Sequence, residues 1–81
     1  MEFRWEDDEG DVELYVDGVE GIADSTGWVT RVTGGYGIIV AHTLSPEQLD
    51  CEKVTYPTKL HAMLELKNMV TVLIIGGHHV V

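Results

Sequence analysis

The sequence predicts an α+β fold: a mostly antiparallel sheet of four to five strands, wound as an amino-terminal meander, with one helix packed on a face. Three observations predict it. Polar and apolar residues alternate repeatedly before residue 44, turn residues punctuate that region at hairpin spacing, and helical spacing of apolar residues begins only after Thr58. Eighty-one residues, 44% of them hydrophobic and 23% charged, make one domain over residues 1–81, near the lower size limit for a self-sufficient core.

The elements follow in chain order. Phe3 and Trp5 alternate with Glu2, Arg4 and Glu6, the two-residue period of a half-buried strand. Asp7-Asp8-Glu9-Gly10-Asp11 reads as a turn, because Asp and Gly accept the angles that reverse a chain. The alternation resumes with Val12, Leu14 and Val16 on one face and Glu13, Tyr15 and Asp17 on the other. Asp17-Gly18 is a second hairpin signal and predicts a third strand, Val19 to Asp24, weakened by Gly21. Trp28 to Thr33 is rich in β-branched and aromatic residues and predicts a strand that Gly34-Gly35 turns back. Its return, Tyr36 to Thr43, contains Ile38-Ile39-Val40-Ala41; a run apolar on both faces predicts the sheet centre.

Ser45-Pro46-Glu47-Gln48 has the form of a short helix start, with Ser45 as cap and Pro46 in the first turn. Thr58 is a second cap, followed by Leu60, Met63, Leu64 and Met69 at helical spacing. Val70 to Ile75 admits two readings: an extension of the helix to a Gly76 cap, or a strand entered by a turn near Asn68. Its β-branched content favours the strand. The helix would lie on one face of the sheet, and the first hairpin, away from it, would be an edge protected by charge.

Charge divides the chain. Residues 1–24 hold ten of the fourteen acids and one base, Arg4, which accounts for the whole net charge of −9. From Ser25 onward, Glu47, Asp50, Glu52 and Glu65 are balanced by Arg31, Lys53, Lys59 and Lys67. Such a balance disfavours direct contact with nucleic acid and with anionic membranes, and admits protein surfaces that are basic. The longest apolar run, Met69 to Ile75, is far short of the roughly 20 residues that cross a bilayer. With one cysteine, Cys51, no intrachain disulfide exists; together with the absence of a signal peptide this points to the cytoplasm.

The acidic hairpin is the candidate site: Glu6, Asp7, Asp8, Glu9, Asp11, Glu13 and Asp17 as partner-binding carboxylates, with Tyr15 among them as an anchor. Side chains at i and i+2 of a strand project the same way, so Glu13 and Asp17 flank Tyr15 on one face. Trp28 and Tyr36 are further anchors if exposed, although Trp5 and Trp28 both read as core. The plain alternative is a solvated end that keeps the molecule soluble.

Catalytic, metal and cofactor sites are not expected. His78 and His79 would point to opposite faces of a strand, and no spacing joins His42, His61 and Cys51 into a tetrahedral set. Cys51 lacks a CxxC partner, and Gly34-Gly35-Tyr36-Gly37 lacks the lysine and following helix of a phosphate loop. The acidic hairpin has no apolar pocket to shift a carboxylate far.

The charge block from Glu2 to Asp24 and the small size of the chain resemble the small acidic proteins by which phages and mobile elements inhibit bacterial defences, the anti-CRISPR and anti-restriction DNA mimics. The resemblance lies in size and charge and involves no motif. It implies a non-enzymatic inhibitor that occupies a nucleic-acid-binding surface of an effector. The alternative from a different class is a structural or oligomeric accessory protein that assembles through the apolar segment Met69 to Ile75.

Overall fold

The computed structural model describes residues 1–22, 25–41 and 54–79, the last three of these as backbone. Four strands, β1 (Glu2–Asp8), β2 (Asp11–Asp17), β3 (Gly27–Val32) and β4 (Gly35–Val40), form one antiparallel sheet in the order β1-β2-β3-β4. One helix, α1 (Lys59–His79), packs on it, chiefly over β3 and β4. The expected α+β fold is the one the chain has.

The β1-β2 hairpin is closed by only two residues, with Asp8 opposite Asp11. Glu9 and Gly10 both take positive φ, 49° and 95°, the requirement of a turn whose twist matches the strands. Asp7, Asp8 and Asp11, expected in the turn, are therefore strand residues. On the inner face Phe3 stands opposite Val16 and Trp5 opposite Leu14; Val12 pairs onward with Val29 of β3, and Val29 with Ile38 of β4.

The expected third strand does not form among the described residues. Gly18 and Gly21 adopt φ of 85° and 88°, and the Ile22 amide donates back to the Val19 carbonyl at 3.3 Å, a turn where extension was expected. The link from β2 to β3 is anchored instead by Thr26. Its amide and its hydroxyl both donate to the Leu14 carbonyl at 2.8 Å, so this buried polar side chain is satisfied.

The strand carrying Ile38-Ile39 lies at an edge, not at the centre. The four strands pair in sequence order, so the last one lies outermost; Ile39 faces outward, 41% exposed. The turn into it is Thr33-Gly34, with Gly35 already paired to Val32. Part of this edge is covered, since Tyr36 and Tyr56 exchange amide-to-carbonyl hydrogen bonds of 2.9 and 2.8 Å.

Thr58 caps α1 as expected: its hydroxyl accepts from the His61 amide at 3.1 Å. The segment after Asn68 is helix, not strand. Ala62, Leu66, Val70 and Ile74 recur every fourth residue and are all buried, joining Leu14, Val16, Val29 and Ile38 in one core. Packing along that stripe outweighs the β-branched preference of Val70, Val72 and Ile74. Thr71 fits because its hydroxyl donates to the Lys67 carbonyl one turn back, at 2.7 Å. Gly27 lets the helix approach closely: a Cβ there would lie 2.6 Å from the Ile39 carbonyl oxygen and 2.9 Å from Leu66 Cδ1. The expected helix start at Ser45, together with His42 and Cys51, falls outside the described residues.

Candidate functional site

The pleat sends every second side chain of β1 and β2 away from the helix. Reading the register, the outward row places Glu2 opposite Asp17, Arg4 opposite Tyr15, Glu6 opposite Glu13 and Asp8 opposite Asp11. Six carboxylates and one cation thus share one surface. Residues directly opposite have Cβ atoms about 4.5–5.5 Å apart, where like charges destabilise a sheet. Three such like-charged pairs stand in this one hairpin and cost it stability.

Arg4 relieves one end of the row. Its guanidinium lies 2.7 Å from Glu6 and 3.2 Å from Asp17, and stacks over the Tyr15 ring at 4.6 Å. The hydrogen bond to Asp17 leads the effects that raise its pKa, which keeps it cationic. Both ion pairs are about half exposed, so they orient side chains more than they stabilise the fold. The Tyr15 hydroxyl donates to Glu13 at 3.0 Å, and this bond, followed by partial burial and the nearby carboxylates, raises the phenol pKa. Tyr15 is accordingly held by both neighbours, with Arg4 covering its face.

The other end of the row is unneutralised. Asp8, Asp11 and Glu13, with Ser25 and Trp28, line an open groove of about 330 Å³. Among the described residues no cation pairs with these three acids. Lys67 lies on the helix side of the sheet, over the Phe3 ring at 5.0 Å.

Of the residues expected to bind a partner, Glu6, Asp8, Asp11, Glu13, Tyr15 and Asp17 are thus brought together on the outer face. Asp7 is not: it stands opposite Val12 in the inner row, although exposed. Glu9 sits at the exposed tip of the turn, beyond the strands.

Trp28 was expected in the core and is instead half-exposed on this outer face, opposite Glu13 and Ile39. Gly27 and Val29 take the inward positions of β3, which forces the indole out. One line across the sheet therefore reads Glu6, Glu13, Trp28, Ile39, anionic on one half and apolar on the other. The face-switch that Gly27 imposes is the signal in the sequence that could have revealed this. Trp5 packs against the core as expected, and Tyr36 also faces it.

Among the described residues no three of His, Cys, Asp and Glu are arranged to hold a metal ion. His61 is exposed, 4.0 Å from Glu65 and tilted against the Tyr56 ring. Among the described residues, too, no helix is long and apolar enough to cross a membrane. No family model, no curated protein and no solved structure matches the chain.

Proposed function

We propose that this chain is a non-enzymatic binding protein that acts in the cytoplasm, where the acidic outer face of β1 and β2 docks on a basic surface of a nucleic-acid-handling effector, such as a CRISPR or restriction complex, and inhibits it. The observation that carries this reading is the outward row itself. A fold that needed only solubility could have spread its acids over both faces and avoided placing them opposite one another, and this one stacks three like-charged pairs on one side. A basic partner removes that repulsion on binding, so docking gains what folding gives up. Trp28 beside the groove supplies a desolvated anchor next to the charges, the arrangement of an interface hot spot with a polar surround. Phage or mobile-element origin fits the same use, since such inhibitors act by occupancy and need no catalytic site.

The test is biological. Expression of the chain in bacteria that restrict or cleave an incoming phage genome should raise the plating efficiency of that phage, and an Asp8→Lys/Asp11→Lys/Glu13→Lys variant should lose the effect while remaining folded. Equal plating with and without the chain, across restriction and CRISPR hosts, would remove the proposal.

A second reading, a structural or oligomeric accessory protein, is favoured by a different observation. Leu60, Leu64, Val72 and Ile75 of α1 are each at least half exposed on the side away from the sheet. Light scattering discriminates, because assembly through that side would be stable at high salt and indifferent to charge reversal on the sheet.

A further inference from the structure

The free edge of β1 is a second feature of the same hairpin, and it carries its own recognition chemistry. In a hairpin closed by two residues, the closing pair exchanges both amide hydrogen bonds, and bonded pairs then alternate along the strands. Asp8–Asp11, Glu6–Glu13, Arg4–Tyr15 and Glu2–Asp17 are therefore the bonded pairs. The Leu14 carbonyl confirms the alternation, since it accepts from Thr26 on the β3 side. The amides and carbonyls of Phe3, Trp5 and Asp7 consequently point away from β2. Because β1 ends the sheet, no strand among the described residues meets them.

We propose that this edge accepts an extended segment of the partner as a fifth strand, one that alternates basic and apolar residues. The alternation follows from the two sides of β1. A strand added beside it would lay one set of side chains along Glu2, Arg4, Glu6 and Asp8 on the outer face, where Lys or Arg is complementary to the three carboxylates and Arg4 is already engaged by Glu6 and Asp17. The other set would lie beside Phe3 and Trp5, which are only half-buried at the rim of the core and would be covered by apolar neighbours. Backbone hydrogen bonds would supply affinity and the alternating side chains specificity.

A second copy of this chain is a poorer match. An antiparallel β1–β1 pair centred on Trp5 would set Glu2 against Asp8, and only Arg4 facing Glu6 would offset that repulsion. The edge thus fits a basic sequence better than its own. The inference rests on the proposed docking to a basic surface and specifies the shape of what docks.

The test uses the full chain, isotopically labelled, and four synthetic octapeptides: alternating Lys-Val, a block peptide of four Lys then four Val, and two forms of the alternating peptide, N-methylated on the amides of one edge or of the other. The inference expects the alternating peptide to bind, to shift the amides of Phe3, Trp5 and Asp7, and to slow their hydrogen exchange. N-methylation of the edge that meets β1 should weaken binding about tenfold, the size expected for one or two lost net hydrogen bonds; methylation of the opposite edge should not. Equal binding of alternating and block peptides, with shifts at Glu13 and Trp28 and none in exchange at β1, would overturn the added strand and leave the docking face standing. Binding of none of the peptides would overturn both.

Discussion

At the scale of single residues, Tyr15 reports whether the outward row is built as described. Its hydroxyl donates to Glu13 and its ring lies under Arg4, so removing the phenol proton places a new negative charge beside Glu13. The folded phenol is accordingly raised above its usual value of about 10. A group raised on folding contributes stability that is complete below its unfolded pKa and disappears as pH rises through the folded one. The contribution of Tyr15 is therefore present at neutral pH and lost above about 10. Titration of tyrosinate absorbance, with a Tyr15→Phe variant subtracted to remove Tyr36 and Tyr56, should give a midpoint above that of free tyrosine. Glu13→Gln should bring it down. A Tyr15 midpoint unmoved by Glu13→Gln would mean that the hydrogen bond does not form in solution.

At the scale of elements, the hairpin and the helix show what was legible in the sequence and what was not. Strands β1 and β2 are legible because polar and apolar residues alternate from Glu2 to Glu6 and from Asp11 to Asp17, and that pattern sets which face is buried. Of the candidate acids, that alternation carries Glu6, Glu13 and Asp17, whereas Asp8 and Asp11 read as turn residues and lie in the strands. Asp7 lies in a stretch that reads as a five-residue turn; Glu9 and Gly10 complete the turn in two, which leaves Asp7 in the inner row of β1. The turn at Asp17-Gly18 failed as a hairpin because Gly21 adds a second positive φ before any strand can begin. The outward position of Trp28 is hard to read from sequence because Gly27, which holds the inward position, carries no hydrophobic signal.

After Asn68 two signals compete, the β-branched composition that favours a strand and the fourfold spacing of Ala62, Leu66, Val70 and Ile74, and the spacing prevails because all four side chains are buried. The two structures for this segment make opposite predictions. In a strand Val70 and Val72 would share a face, and in the helix one is fully buried and the other 69% exposed. Val70→Ala should therefore cost about 2 kcal/mol from two lost methyl-sized groups and the space they leave. Val72→Ala should change stability by less than about 0.5 kcal/mol. Equal losses in denaturant unfolding would argue for the strand.

At the scale of the molecule, the decisive feature is segregation: carboxylates on the outer side of β1 and β2, an apolar patch from Trp28 to Ile39 beside them, and the helix on the opposite face. Such a molecule repels itself along its acidic side even when folded. Salt screens that repulsion over a Debye length of about 10 Å at 0.1 M, so the melting temperature should rise as salt is added in the low range. The Asp8→Lys/Asp11→Lys/Glu13→Lys variant, with a smaller net charge, should show a weaker rise. A melting temperature that falls with added salt in the intact chain would mean that ion pairs such as those of Arg4 outweigh the like-charged pairs.

The same charges should steer association, since a charged face accelerates encounter with an opposite one and loses that advantage as salt rises. The most direct measurement is therefore the association rate constant of the chain with a captured effector, recorded over a series of salt concentrations beside the triple-lysine variant. Rapid binding that slows steeply with salt in the intact chain, and slow binding nearly indifferent to salt in the variant, is the predicted result. Superimposable rates for the two proteins at every salt concentration would contradict an acidic docking face.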